Sequence, residues 1–165
     1  MAKKKEEIPP YMLRALTDEN LIEGMVEGDT HLSFASDEEQ HTPIHFTSAR
    51  VSCTRLADRS VSVYQDVYLR KNQALIYIPD TDYTRLPQMT VWEMFKTPLP
   101  GDFFIGQYSL EGKLMIMGRN QFMFQHEMPV MDVRIGNRLA GAGWPEIYAP
   151  LVVVNAYRLH FWAER

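Results

Sequence analysis

Phe103-Phe104-Ile105-Gly106-Gln107-Tyr108 leads through Glu111-Gly112 to Lys113-Leu114-Met115-Ile116-Met117, then through Gly118-Arg119-Asn120 to Gln121-Phe122-Met123-Phe124-Gln125. Val130-Met131-Asp132-Val133-Arg134-Ile135 follows. Apolar and polar residues alternate with period two between glycine-bearing breaks, the pattern of β-strands joined by tight turns. Leu114 and Ile116 oppose Met115 and Met117, while Phe122 and Phe124 oppose Met123. The spacing predicts an antiparallel meander with turns at Glu111-Gly112 and Gly118-Arg119-Asn120 and one apolar face toward a core.

The rest of the chain reads in the same way. Ile44 to Leu56 is a long strand whose apolar face changes from Ile44 and Phe46 to Val51 and Cys53, which calls for a β-bulge between them. Ser60 to Leu69 and Ala74 to Ile78 are strands, separated by a turn at Lys71-Asn72-Gln73. These hairpins mirror the later meander, so both halves of the chain read as consecutive antiparallel strands. A strand is also predicted from Thr30 to Ser36, and one or two more from Ile147 to Trp162. Two short helices are predicted. Thr17 caps the first, Leu21, Ile22, Met25 and Val26 share its face and Gly28 stops it. The second lies in the proline-bearing crossover from Pro79 to Pro100, where Thr90-Val91-Trp92-Glu93 has the form of a capping box. The expected fold is mainly β, an antiparallel barrel or two-sheet sandwich of roughly eight to ten strands with one or two short helices. Residues 1–10, with Lys3-Lys4-Lys5-Glu6-Glu7 and Pro9-Pro10, read as a charged flexible arm, and 11–165 as a single β-rich domain.

Composition narrows the function classes. At 165 residues with 45% apolar content, the chain can bury one sizeable core. A net charge of -4 argues against a surface built wholly for a nucleic-acid backbone. The single cysteine, Cys53, excludes an internal disulfide and any multi-thiolate zinc site. The longest apolar run, Leu151-Val152-Val153-Val154, is far short of the roughly 20 residues of a spanning helix. The expected location is the cytoplasm or a virion, with no secretory signal and no transmembrane segment.

Leu75 to Ile78 is an apolar strand that delivers Asp80 and Asp82, a carboxylate pair able to hold Mg²⁺. The sequence from Asp80 to Thr84 resembles the first motif of the haloacid-dehalogenase-like phosphohydrolases. That resemblance implies Asp80 as nucleophile and Asp82 as general acid and base. The family sets its motif on a parallel sheet with helical crossovers, whereas hairpins flank it here, and a polar turn built on Asp is the simpler reading. His31-Leu32-Ser33 and His45-Phe46-Thr47 resemble the paired His-x-Ser/Thr motifs of the two-histidine phosphoesterases, which implies that His31 and His45 converge on a phosphodiester. His41, His45, His126 and Glu127 show no ligand spacing characteristic of a metal site. Gly136 to Gly143 is a glycine-rich connection without the Gly-Lys-Ser/Thr ending of a phosphate loop.

The first expectation is therefore a non-enzymatic structural subunit of a protein assembly, such as a virus or phage virion, that needs no cofactor. It is expected to form a homo-oligomer or larger assembly through an outward methionine face, Met115, Met117 and Met123. The alternatives are a Mg²⁺- or histidine-dependent phosphohydrolase or phosphodiesterase, and a barrel that binds a ligand or single-stranded nucleic acid through Arg119, Arg134 and Arg138.

Overall fold

The computed structural model describes residues 7–34, 42–55, 60–87, 97–116 and 127–164. Ten strands run through them: β1 (Tyr11–Leu16), β2 (Asn20–Val26), β3 (Ile44–Cys53), β4 (Val61–Leu69), β5 (Ile76–Asp80), β6 (Thr97–Ile105), β7 (Tyr108–Ile116), β8 (Glu127–Asn137), β9 (Ile147–Asn155) and β10 (Leu159–Glu164). All belong to one antiparallel sheet in the order β10-β6-β7-β8-β9-β5-β1-β2-β3-β4. The expected mainly β fold is present, but among the described residues the sheet does not close, so the expected barrel is not supported.

The order repeats itself. In chain sequence, the first five strands lie as β5-β1-β2-β3-β4 and the second five as β10-β6-β7-β8-β9, which is the same arrangement used twice. The register carries the match to single residues. In the first half Glu23 pairs with Arg50 and Leu13 with Gly24; in the second, Glu111 pairs with Arg134 and Gly101 with Gly112. Both glycines face a bulge, since the pairing of β2 with β3 slips between Glu23 and Met25, and that of β7 with β8 between Glu111 and Lys113. The bulges hold Ser48 (φ 51°) and Asp132 (φ 53°), the two non-glycine residues with left-handed backbone among those described.

Two apolar clusters fill opposite faces of this sheet. On β9, Val152 and Val154 belong to one cluster, and the alternating Leu151 and Val153 to the other. On β5 the same division separates Ile76 and Ile78 from Tyr77. Successive strand residues point to opposite faces, so β5 and β9 from Leu151 on are buried on both. The first cluster lies mainly over β6 to β9, with Phe103, Leu110, Val130 and Ile135, and the second over β1 to β3, with Leu13, Ile22, Phe46 and Ala49.

A buried polar knot ties the halves together at one end. Gln107 Nε2 donates to Thr54 Oγ1 at 2.7 Å, Asn137 Nδ2 donates to the Thr54 carbonyl at 2.8 Å, and the Tyr108 hydroxyl donates to the Thr17 carbonyl at 2.9 Å. Burial pushes the Tyr108 phenol up to about 12, so it stays a donor.

Four local expectations are corrected. Leu21 to Val26 is not a helix but strand β2. Thr17 still caps, accepting from Asn20 N at 3.0 Å, but what it closes is the β1–β2 turn. Glu111-Gly112 is not a turn; the turn is at Gly106 (φ 55°) and Gln107, and Gly112 sits in mid-strand because its bulged partner leaves no space for a side chain. Residues 30–34 form no strand. The predicted bulge in β3 is present, and so are the strands expected from Ser60 and Ala74. The second predicted helix, the turn at Gly118-Arg119-Asn120 and the strand from Gln121 lie outside the described residues. Among the described residues the helical segments are single 3-10 turns, and no helix is long and apolar enough to cross a membrane.

Candidate interaction edges

The residues singled out for chemistry have different neighbours. Asp80 ends β5, paired with Met12. Asp82 caps the following 3-10 turn, its Oδ1 accepting from Thr84 N at 3.0 Å and from Thr84 Oγ1 at 2.6 Å. Those bonds to Thr84 hold its carboxyl below the usual range. Both bonds end on Oδ1. His45 lies on the outer surface of β3, where its Nε2 is 2.7 Å from Asp66 Oδ1 and its ring stacks on Tyr68 at 4.5 Å. His31 answers to different neighbours: burial, then the Lys71 charge, holds it below its ordinary value, with Glu127 opposing. Among the described residues no three His, Cys, Asp or Glu side chains are grouped to hold a metal ion. His41 and His126 lie outside those residues.

The binding candidates are also engaged. Arg134 Nε approaches Glu146 at 3.7 Å and its guanidinium covers the Tyr148 ring at 5.3 Å. Arg138 donates to the Gly106 carbonyl at 2.7 Å and covers Phe104. Arg119 is outside the described residues. A shallow depression of about 450 Å³ between Glu111, Asp132, Arg134 and Tyr148 mixes both charge signs on the outer face of β7 to β9. The loop after β8 is held by Asn137, whose Oδ1 accepts from Leu139 N and Ala140 N, and leads into the 3-10 turn Gly141–Gly143. Met115 is half-buried and packs, like Met131, against the cluster that contains Leu151 and Val153. Met117 and Met123 lie outside the described residues.

What remains conspicuous is the strand at the end of the sheet. β4 pairs with β3 alone among the described strands, and Val61, Val63, Tyr64 and Tyr68 along it are exposed, Val63 to 73% and Tyr68 to 63%. An edge strand offers a row of unpaired backbone donors and acceptors, and natural sheets commonly blunt such edges with lysine or proline. β4 carries neither, reading Val61-Ser62-Val63-Tyr64-Gln65-Asp66-Val67-Tyr68-Leu69. Its counterpart at the other end of the sheet, β10, reads Leu159-His160-Phe161-Trp162-Ala163-Glu164 and pairs with β6.

Neither edge is found by a search for catalytic motifs. A comparison of the chain with itself does carry a signal: Ile22-Glu23-Gly24-Met25-Val26 matches Leu110-Glu111-Gly112-Lys113-Leu114, and Ala49-Arg50-Val51 matches Val133-Arg134-Ile135. No protein-family model matches the chain, and neither a curated protein nor a solved structure matches it.

Proposed function

We propose that this chain is a non-enzymatic β-sheet subunit of a protein assembly, of the kind that builds a virion or similar particle, and that it contacts its neighbours through the ends of its sheet. The observation that carries this reading is β4, whose exposed Val61, Val63, Tyr64 and Tyr68 accompany a strand edge unpaired among the described residues. Covering a valine or leucine-sized side chain is worth about 1.5–3 kcal/mol when burial is complete. Strand addition supplies the backbone bonds as well. The methionine face belongs to the same reading as a second contact, with Met115 half-exposed on β7. The two buried clusters, one on each face of the sheet, are compatible with the sandwich form of this reading.

For the phosphohydrolase reading the contacts are Asp82 Oδ1 with Thr84, His45 with Asp66, and His31 under the charges of Lys71 and Glu127. Sedimentation over a range of concentrations, together with Mg²⁺-dependent hydrolysis of an aryl phosphate and an aryl phosphodiester, tests the proposal. A mass above that of the monomer with no turnover is expected. Turnover that disappears in Asp80→Asn/Asp82→Asn or His31→Gln/His45→Gln would overturn it.

A further inference from the structure

The chain already contains the contact that its own edges would make. Because the strand order repeats, β9 is to the second half what β4 is to the first, and β5 is to the first what β10 is to the second. β9 and β5 are paired inside the molecule, in the register Ile76 with Val154 and Tyr77 with Val153. The Asn155 N–H reinforces that pairing by donating to the Leu75 carbonyl at 2.9 Å. β4 and β10 are the same two surfaces, left at opposite ends of the sheet.

We infer that β4 of one copy pairs with β10 of a second copy in the manner of β9 with β5, so that copies join head to tail. This rests on the assembly-subunit reading and names its partner as the chain itself. The register follows from the bulge alignment. Ile44 matches Met128, and their partners are Leu69 and Val154, so Tyr68 stands where Val153 does. Leu13 matches Gly101, and their partners are Pro79 and Glu164, so Trp162 stands where Tyr77 does. Tyr68 of one copy therefore opposes Trp162 of the next, and Leu69 opposes Phe161. The turns entering the fifth strands match too, since a 3-10 turn precedes both, at Lys71–Gln73 and at Ala156–Arg158. Arg70 replaces Asn155 in this comparison, so the side-chain bond from Asn155 Nδ2 to the Ala74 carbonyl has no equivalent, and the backbone ladder carries the contact. A contact between two different surfaces repeats until it closes into a ring or extends as a filament.

Opposed residues of an antiparallel pair have Cα atoms about 4.5–5.5 Å apart, within reach of a disulfide. The test uses the full chain with Cys53→Ser to remove the native thiol. Tyr68→Cys and Trp162→Cys are made separately, and the two proteins are mixed under mild oxidation. The expected product is a covalent dimer that forms only in the mixture, while a protein carrying both changes gives a ladder of larger species. A dimer from Tyr68→Cys alone would mean that β4 pairs with β4, and a fast-migrating monomer of the double variant would mean closure within one chain; both overturn the inference. As a second variant, Tyr68→Pro removes an N–H that points to the free edge by analogy with β9. It is expected to abolish species above the monomer at unchanged circular dichroism. No cross-link in a chain that sediments above the monomer mass removes this contact and leaves the subunit reading standing. A monomer with phosphoesterase turnover removes both.

Discussion

Gly24 and Gly112 hold the same position in the two halves of the sheet, each opposite the bulge of the neighbouring strand. A β-carbon on Gly24 would lie 3.0 Å from the Thr47 carbonyl oxygen, and one on Gly112 3.0 Å from that of Met131. Backbone cannot move aside as a side-chain end can. Gly24→Ala and Gly112→Ala are each expected to cost about 1–3 kcal/mol in denaturant unfolding. Gly143 has nothing within 4 Å of its would-be β-carbon, so Gly143→Ala is the control and is expected to be neutral or stabilising by up to about 1 kcal/mol.

Thr54 joins the end of β3 to the second half through Gln107 and Asn137. Thr54→Val keeps the shape but removes the oxygen that accepts from Gln107 Nε2 at 2.7 Å, leaving that buried amide only its longer bond to the Tyr108 hydroxyl at 3.1 Å. A loss of about 1–3 kcal/mol is expected on chemical denaturation, with Thr54→Ser close to the parent protein. An unchanged midpoint for the valine variant would remove the knot from any role in stability.

His31 is held below its ordinary value of 6.5, by burial first and by Lys71 second. The unfolded chain therefore takes up this proton before the folded one. The stability that comes from keeping His31 neutral is full above the unfolded value and is lost as pH falls through the lower folded value. Thermal scans between about pH 8 and about pH 5 should show the parent protein losing stability relative to His31→Gln toward acid. Parallel pH profiles would show that His31 is not held neutral.

Met115 packs against the cluster of Leu151 and Val153 while remaining half-exposed. Met115→Ser is expected to lower the unfolding free energy by about 1–2 kcal/mol, less than a fully buried deletion. Sedimentation of the same variant reads its share in assembly, since a contact residue reduces association at temperatures where the fold is intact.

Local spacing determined several of the strands. The alternation around Ser60 to Leu69 is enough to make β4, and the shift of face between Phe46 and Val51 is enough to require a bulge, because side-chain direction along a strand depends on neighbours in sequence. The Asp82 turn was legible for the same reason: its bonds run to Thr84, two residues away. Leu21, Ile22, Met25 and Val26 fit both a helical face and a strand flanked by partners, and only pairing with β1 and β3 chose the strand. Glu111-Gly112 looks like a turn until β8 lies beside it with its bulge. The order of the strands, the burial of both faces of β5 and of β9 from Leu151 on, and the edge positions of β4 and β10 among the described strands were decided by the tertiary structure alone. These depend on contacts between segments far apart in sequence, such as β5 with β9 and Thr54 with Gln107, and no local pattern fixes which of several compatible strands becomes the neighbour.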